Sequence, residues 1–208
     1  MSVAATREIQ LVQLDQRLLQ LDGISERQIQ EHYTLYEGYV KKSNEIRQKL
    51  PQADKSTANQ TYSEFRELKV ELSFGLDAVK LHRGYFDNLG KSGQPGDRFI
   101  DLIDQSYGSI QEWEADFRAS GTVARGWTIC AFDFDESRLY NFIADDHNTY
   151  GIWNSLPVLI LDTYEHAYII DYGVKRQPYI DAFMKNINWD IVNRRLSGLA
   201  ITDPRMAM

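Results

Sequence analysis

The chain holds four histidines, His32, His82, His147 and His166, and the last of them follows Asp162 by four residues. Asp162 closes the run PVLILD, so an acid stands at the mouth of a strand that reads as buried, with an imidazole just beyond it in DTYEHAY. A carboxylate and a histidine so spaced are most often a structural pair that satisfies its own hydrogen bonds. Two further histidines fall on inward faces of helices. Convergence of those helices with the strand would bring three imidazoles and one carboxylate to a single point. That mixed nitrogen and oxygen set suits iron or manganese, and also zinc, and spacing alone does not choose among them. Against zinc, no thiolate site accompanies the set: Cys130 is the only cysteine and sits in an apolar run, where a buried, inert thiol is expected. The aromatic company of Tyr33, Tyr36, Tyr39, Tyr85, Phe86, Trp127 and Tyr164 suits a dry, shielded redox centre, although such stripes also build ordinary cores.

The elements that must position these groups are legible in outline. ISERQIQEHYTLYEGYVKKSNEIRQKL opens with Ser25 and Gln28 in capping-box spacing and meets Pro51 beyond its end, with Ile29, His32, Tyr36 and Tyr39 on one face. A second helix carries the stripe Leu68, Leu72, Leu76, Val79, His82 and Phe86 and closes at Gly90, so His82 continues an apolar face inward. Gly93, Pro95 and Gly96 mark a loop and an expected boundary between a helical hairpin domain, 1–92, and a second domain, 93–208. After it come a helical stretch broken near Gly108, two strands in GWTICAFDF and RLYNFI joined through DES, a loop ADDHNTYGIWNS, the strand PVLIL and a final helical region. The predicted class is α+β: an N-terminal antiparallel helical hairpin followed by an α+β domain with a small three-stranded antiparallel sheet, the metal site lying between them.

Composition excludes several alternatives. With 208 residues, 43% hydrophobic and 25% charged, the chain can bury a substantial core. A net charge of −7 argues against a general nucleic-acid surface, which needs concentrated Lys and Arg. No stretch is long and apolar enough to span a bilayer, and MSVAATREIQLVQLDQ is too polar for a signal-peptide core, so a cytoplasmic protein without membrane partners is expected.

Beyond these readings, DTYEHAYIIDY followed by NINWDIVNRRL resembles the C-terminal signature of the iron/manganese superoxide dismutases. The likeness extends in order through EHYTLYEGYV, VKLHRGYFDNLG, YGSIQEWEADF and ARGW, from about Ile24 to Leu196. The resemblance implies that His32, His82, Asp162 and His166 are the ligands of one iron or manganese ion per subunit. Iron is favoured slightly over manganese, and use of either metal is open. It implies disproportionation of superoxide to dioxygen and hydrogen peroxide by alternating M(III) and M(II). Tyr39 would be the gateway tyrosine, His147 would stand where many members place a glutamine against metal-bound solvent, and Trp127 would pack beside the metal. Glu165 would reach a ligand histidine of a partner subunit, giving a homodimer or a dimer of dimers. The alternative is a catalytically impaired relative that keeps the metal site as a structural or interaction protein.

Departures from the commonest pattern carry expectations of their own. The step from His32 to Tyr39 is one residue shorter than in many members, whose extra residue makes a π-bulge, so a regular first helix is expected. Tyr36 and Ile169 occupy positions where many members place a histidine and a tyrosine that meet across the dimer interface. Tyr164 and Ile129 replace tryptophans, and Arg176 matches an arginine near the substrate approach, a local positive potential that an acidic chain needs to draw in an anion.

Overall fold

A computed structural model describes residues 7–199. Helices α1 (Glu26–Lys49) and α2 (Glu64–Asp87) form the antiparallel hairpin. Ser25 and Ser63 cap them, each hydroxyl accepting a backbone N–H three residues on, at Gln28 and Arg66. Every residue of α1 is α-helical, so the turn between His32 and Tyr39 is regular, as the shortened spacing predicts. Only half of the capping box forms, because the Gln28 side chain turns away from Ser25 to contacts in the C-terminal half.

The helices approach closely where the sequence is small. A Cβ on Gly75 would stand 2.6 Å from Ser43 Oγ, and one on Gly84 would stand 2.4 Å from Ile160 Cδ1. Glycine at these points lets α2 lie flush against α1 on one side and the sheet on the other. Residues 8–14 run along α1 as a strap. Asn44 grips Ile9 through both its N–H and its carbonyl at 2.9 and 3.0 Å, the Tyr33 hydroxyl donates to the Val12 carbonyl at 2.9 Å, and the Val12 N–H reaches the Tyr36 hydroxyl.

Beyond α2, α3 (Asp97–Tyr107) stops at Gly108 in the left-handed conformation and α4 (Ile110–Val123) restarts on the Ser109 cap. Strands β1 (Trp127–Asp133), β2 (Arg138–Ala144) and β3 (Ser155–Asp162) form an antiparallel sheet in the order β2-β1-β3. Strand β3 is longer than PVLIL suggests. It starts at Ser155 and includes Asp162, and the register skips Val158 where Pro157, which has no N–H to give the ladder, faces Ala131. That register sets Trp127 at the end of the central strand, paired with Ala144 on one side and Asp162 on the other. Helices α5 (Ile169–Tyr172), α6 (Arg176–Lys185) and α7 (Trp189–Ser197) complete the chain, and Phe99, Trp113, Phe117, Phe183 and Trp189 fill the core between helices and sheet. No helix among the described residues is long and apolar enough to cross a membrane.

Candidate metal centre

Four side chains from four segments meet where the hairpin touches the end of the sheet. His32 comes from α1, His82 from α2, Asp162 from the last position of β3 and His166 from a single 3₁₀ turn, Glu165–Ala167. One donor atom from each lies within 4.8 Å of the others. A single carboxylate oxygen is the hub: Asp162 Oδ2 lies 3.0 Å from His32 Nε2, 3.0 Å from His166 Nε2 and 3.7 Å from His82 Nε2. His32, His82 and Asp162 are buried, and His166 keeps one flank partly open.

The hub is anchored from behind. Asp162 Oδ1 accepts the Tyr164 N–H at 2.9 Å, and the Asp162 carbonyl accepts the Tyr179 hydroxyl at 2.7 Å, which Tyr85 in turn meets at 3.1 Å. His82 Nδ1 lies 2.7 Å from the Ala78 carbonyl, one turn earlier on α2, so that nitrogen carries the proton. The lone pair of Nε2 is thereby turned into the cluster, where it has no hydrogen-bond partner. A buried acceptor left unpaired costs about 1–3 kcal/mol. Three imidazoles and a carboxylate, one imidazole pre-set in the metal-binding tautomer with its other nitrogen on a carbonyl, are a donor set that fits a divalent or trivalent first-row metal.

Around the four runs an ordered outer layer. The Trp127 indole N–H donates to His147 Nδ1 at 3.0 Å, which leaves the proton of a neutral His147 on Nε2, 3.0 Å from the Tyr39 hydroxyl oxygen. Tyr39 therefore accepts from His147, and its own proton is free to point elsewhere. His147 is further held by Phe74 against its ring at 4.6 Å, and Asn148 beside it donates to Ser73 on α2. Tyr164 stacks on His166 at 5.1 Å, and Tyr85 and Phe86 wall off His32.

The structure thus brings His32, His82, Asp162, His166, Tyr39, His147 and Trp127 together. Glu165 is exposed beside Ile169 and Ile170, which are 44% and 38% exposed. Tyr36 lies elsewhere than a free surface: it is 2% exposed, covered by the chain's own strap at Val12. Arg176 is engaged with carbonyls of Gly121, Thr122 and Ala124 at the end of α4 and lies over the Tyr168 ring. Sequence reading missed Ala78, Tyr179 and Gln28. A helical histidine always has a carbonyl four residues back, so Ala78 could have been anticipated. Nothing local marks Tyr179 or Gln28, whose partners are 17 and 138 residues away.

Residues 95–195 match the family model described as iron/manganese superoxide dismutases, C-terminal domain. An iron superoxide dismutase of Aquifex aeolicus is 46% identical over 181 residues, covering 84% of this chain and 85% of that protein. One of Cupriavidus metallidurans, also named as the iron enzyme, is 38% identical and covers 81% of this chain and 86% of its own length. A protein of Halobacterium salinarum named as a manganese superoxide dismutase is 28% identical, over 81% and 84%.

Burial and charge set the protonation of the group. Burial by itself would raise Asp162, but the His166 charge and hydrogen bonds from His166 and His32 outweigh it and hold the carboxyl far below the usual range. Burial also opposes protonation of His166, and the facing Asp162 overcomes it, so that imidazole is raised. Burial lowers His32, His82 to about 3 and His147 to about 4. A histidine lowered in the fold lets the unfolded chain take its proton first as pH falls through 6.5, so its contribution to stability shrinks in acid. The His166 contribution is complete below 6.5 and is lost as pH rises through its raised value; that of Asp162 is complete above 3.8 and is lost only as pH falls through its lowered one. Metal-free protein should therefore lose stability as pH falls from about 6.5 to about 4, by up to about 1.4 kcal/mol per pH unit for His82, with His32 acting in the same direction. Urea unfolding across that window checks this, and a flat profile would refute it.

Proposed function

Because the chain belongs to the iron/manganese superoxide dismutase family, we propose that His32, His82, Asp162 and His166 hold its one iron or manganese ion and that superoxide is disproportionated there. The convergence of three imidazole nitrogens on one Asp162 oxygen carries this reading, together with the unpartnered Nε2 of His82. Such an ion supplies one-electron chemistry between two oxidation states, so two superoxide anions and two protons become one dioxygen and one hydrogen peroxide without the two anions having to meet.

The chain's own residues make the site fit for that work. Asp162 contributes the one negative charge that offsets the cation, and Tyr164 N–H and the Tyr179 hydroxyl keep it in place. Trp127 fixes the His147 tautomer, and His147 Nε2–H occupies the Tyr39 oxygen, so the Tyr39 proton is the one available to an arriving anion. Burial and the Asp162 charge raise the Tyr39 hydroxyl above its ordinary value, which keeps that proton in place at neutral pH. His147 tunes the preference between iron and manganese from this outer position, since an imidazole differs from an amide in reach and charge. Glu165, exposed with Ile169 and Ile170 next to the open flank of His166, is the centre of a homodimer contact.

Superoxide decay followed after a radiolysis pulse, with protein loaded separately with iron and with manganese and normalised to bound metal, tests the activity. Fast decay with one metal or both is expected; decay at the free-metal background with both would leave a metal-binding protein without the activity. The His147→Gln variant should keep its metal and change its rate or metal preference, and an unaltered rate and preference would remove His147 from the mechanism. Light scattering at micromolar concentration should give at least a dimer, and Glu165→Ala should weaken it; a wild-type monomer would contradict the contact.

A further inference from the structure

The geometry points to Gln28 as a positioning residue of the metal site, a role that rests on the reading of His32 and His166 as ligands. Gln28 lies in the first turn of α1 and is 1% exposed. Its side-chain amide is satisfied at both ends by one distant segment: Nε2 donates to the His166 carbonyl at 2.7 Å, and Oε1 accepts the Ile170 N–H at 3.0 Å.

Those two backbone groups are four residues apart, and in an uninterrupted α-helix they would bond each other. Here the helix is broken. The 3₁₀ turn Glu165–Ala167 ends at Tyr168, whose backbone at φ −147° and ψ −11° is not helical, and α5 begins only at Ile169. The break separates the His166 carbonyl from the Ile170 N–H, and the Gln28 amide stands between them in place of the lost bond, supplying a donor to one and an acceptor to the other. Without it, two part-buried backbone groups would lose the partner that replaces their helical bond, and closing the helix to pair them would require a different backbone at Tyr168, two residues from His166.

The same side chain also sets distance. Gln28 precedes His32 by one turn of a rigid helix, so a single amide fixes the backbone of one ligand relative to the helix that carries another. The rings of His32 and His166 stand 4.9 Å apart across this tie. Capping does not account for this residue, because Ser25 caps α1 by accepting the Gln28 backbone N–H and makes no use of its side chain.

The test compares full-length Gln28→Met, which keeps length but can make neither hydrogen bond, with Ser25→Ala, which removes the cap from the same turn. Both are loaded with iron, and release to a strong chelator and the ferric electron paramagnetic resonance spectrum are recorded beside the thermal midpoint of the metal-free protein. Gln28→Met should release iron about tenfold to a hundredfold faster, with an altered spectrum. Ser25→Ala should lower the midpoint while keeping wild-type release and spectrum. Equal release from the two variants, or a wild-type spectrum for Gln28→Met, would overturn the assignment. Should Gln28→Met fail to fold, Gln28→Glu keeps the acceptor for Ile170 and loses the donor to His166; accelerated release supports the role, and wild-type release overturns it. His166→Ala separates the premise: if it holds iron as tightly as wild type, His166 is not a ligand and the role of Gln28 falls with it.

Discussion

The fold is organised around a carboxylate taken out of water. An isolated buried charge costs several kcal/mol even after relaxation, and it persists only where geometry and hydrogen bonds offset that cost. Asp162 is fully buried, and every group near it answers to this constraint. Two imidazole nitrogens stand at 3.0 Å from one of its oxygens, a backbone N–H holds the other, and a tyrosine hydroxyl ties down the carbonyl behind it. Reaching that arrangement brings α2 hard against the Ile160 side chain of β3. The absence of a side chain at Gly84, two residues after His82, is what permits it.

A second layer transmits this order outward. The N–H of Trp127 sets the proton on His147, and His147 in turn sets which way the Tyr39 hydroxyl can donate. Direction in this chain of hydrogen bonds comes from the indole, which can only donate. The strap of residues 8–14 covers Tyr36 one turn beyond His32 on α1, while Glu165, Ile169 and Ile170 stay exposed close to His166 in the chain.

Much of this was legible in the sequence, for reasons that are themselves physical. Helical periodicity turned His32 and His82 inward, the apolar run before Asp162 marked a strand, and Gly108 and Pro51 punctuated helices through backbone rules that act over a few residues. What stayed hidden depends on contacts between distant segments. The ambiguous residue was Gln28, whose spacing from Ser25 suggests a capping box while its amide serves a helix break more than a hundred residues on. Arg176 reads as a free cation until the open carbonyls at the end of α4 are seen to take up its guanidinium. The extent of β3 was hidden by Pro157, which interrupts the ladder without ending the strand.

Asp162 and His32 touch across 130 residues of chain, and three of the four clustered side chains are shut off from solvent. An ion held there as proposed would act as a cross-link closing a very long loop, the case in which a tie restricts the unfolded chain most. Closed walls also make insertion a matter of timing. Only the His166 flank is partly open, so an ion reaching all four donors would need the hairpin to part locally from the sheet, and loading would then be governed by how often that seam opens and by which metal is abundant as the chain folds. The metal found in the purified protein would then be partly a record of the conditions under which it folded.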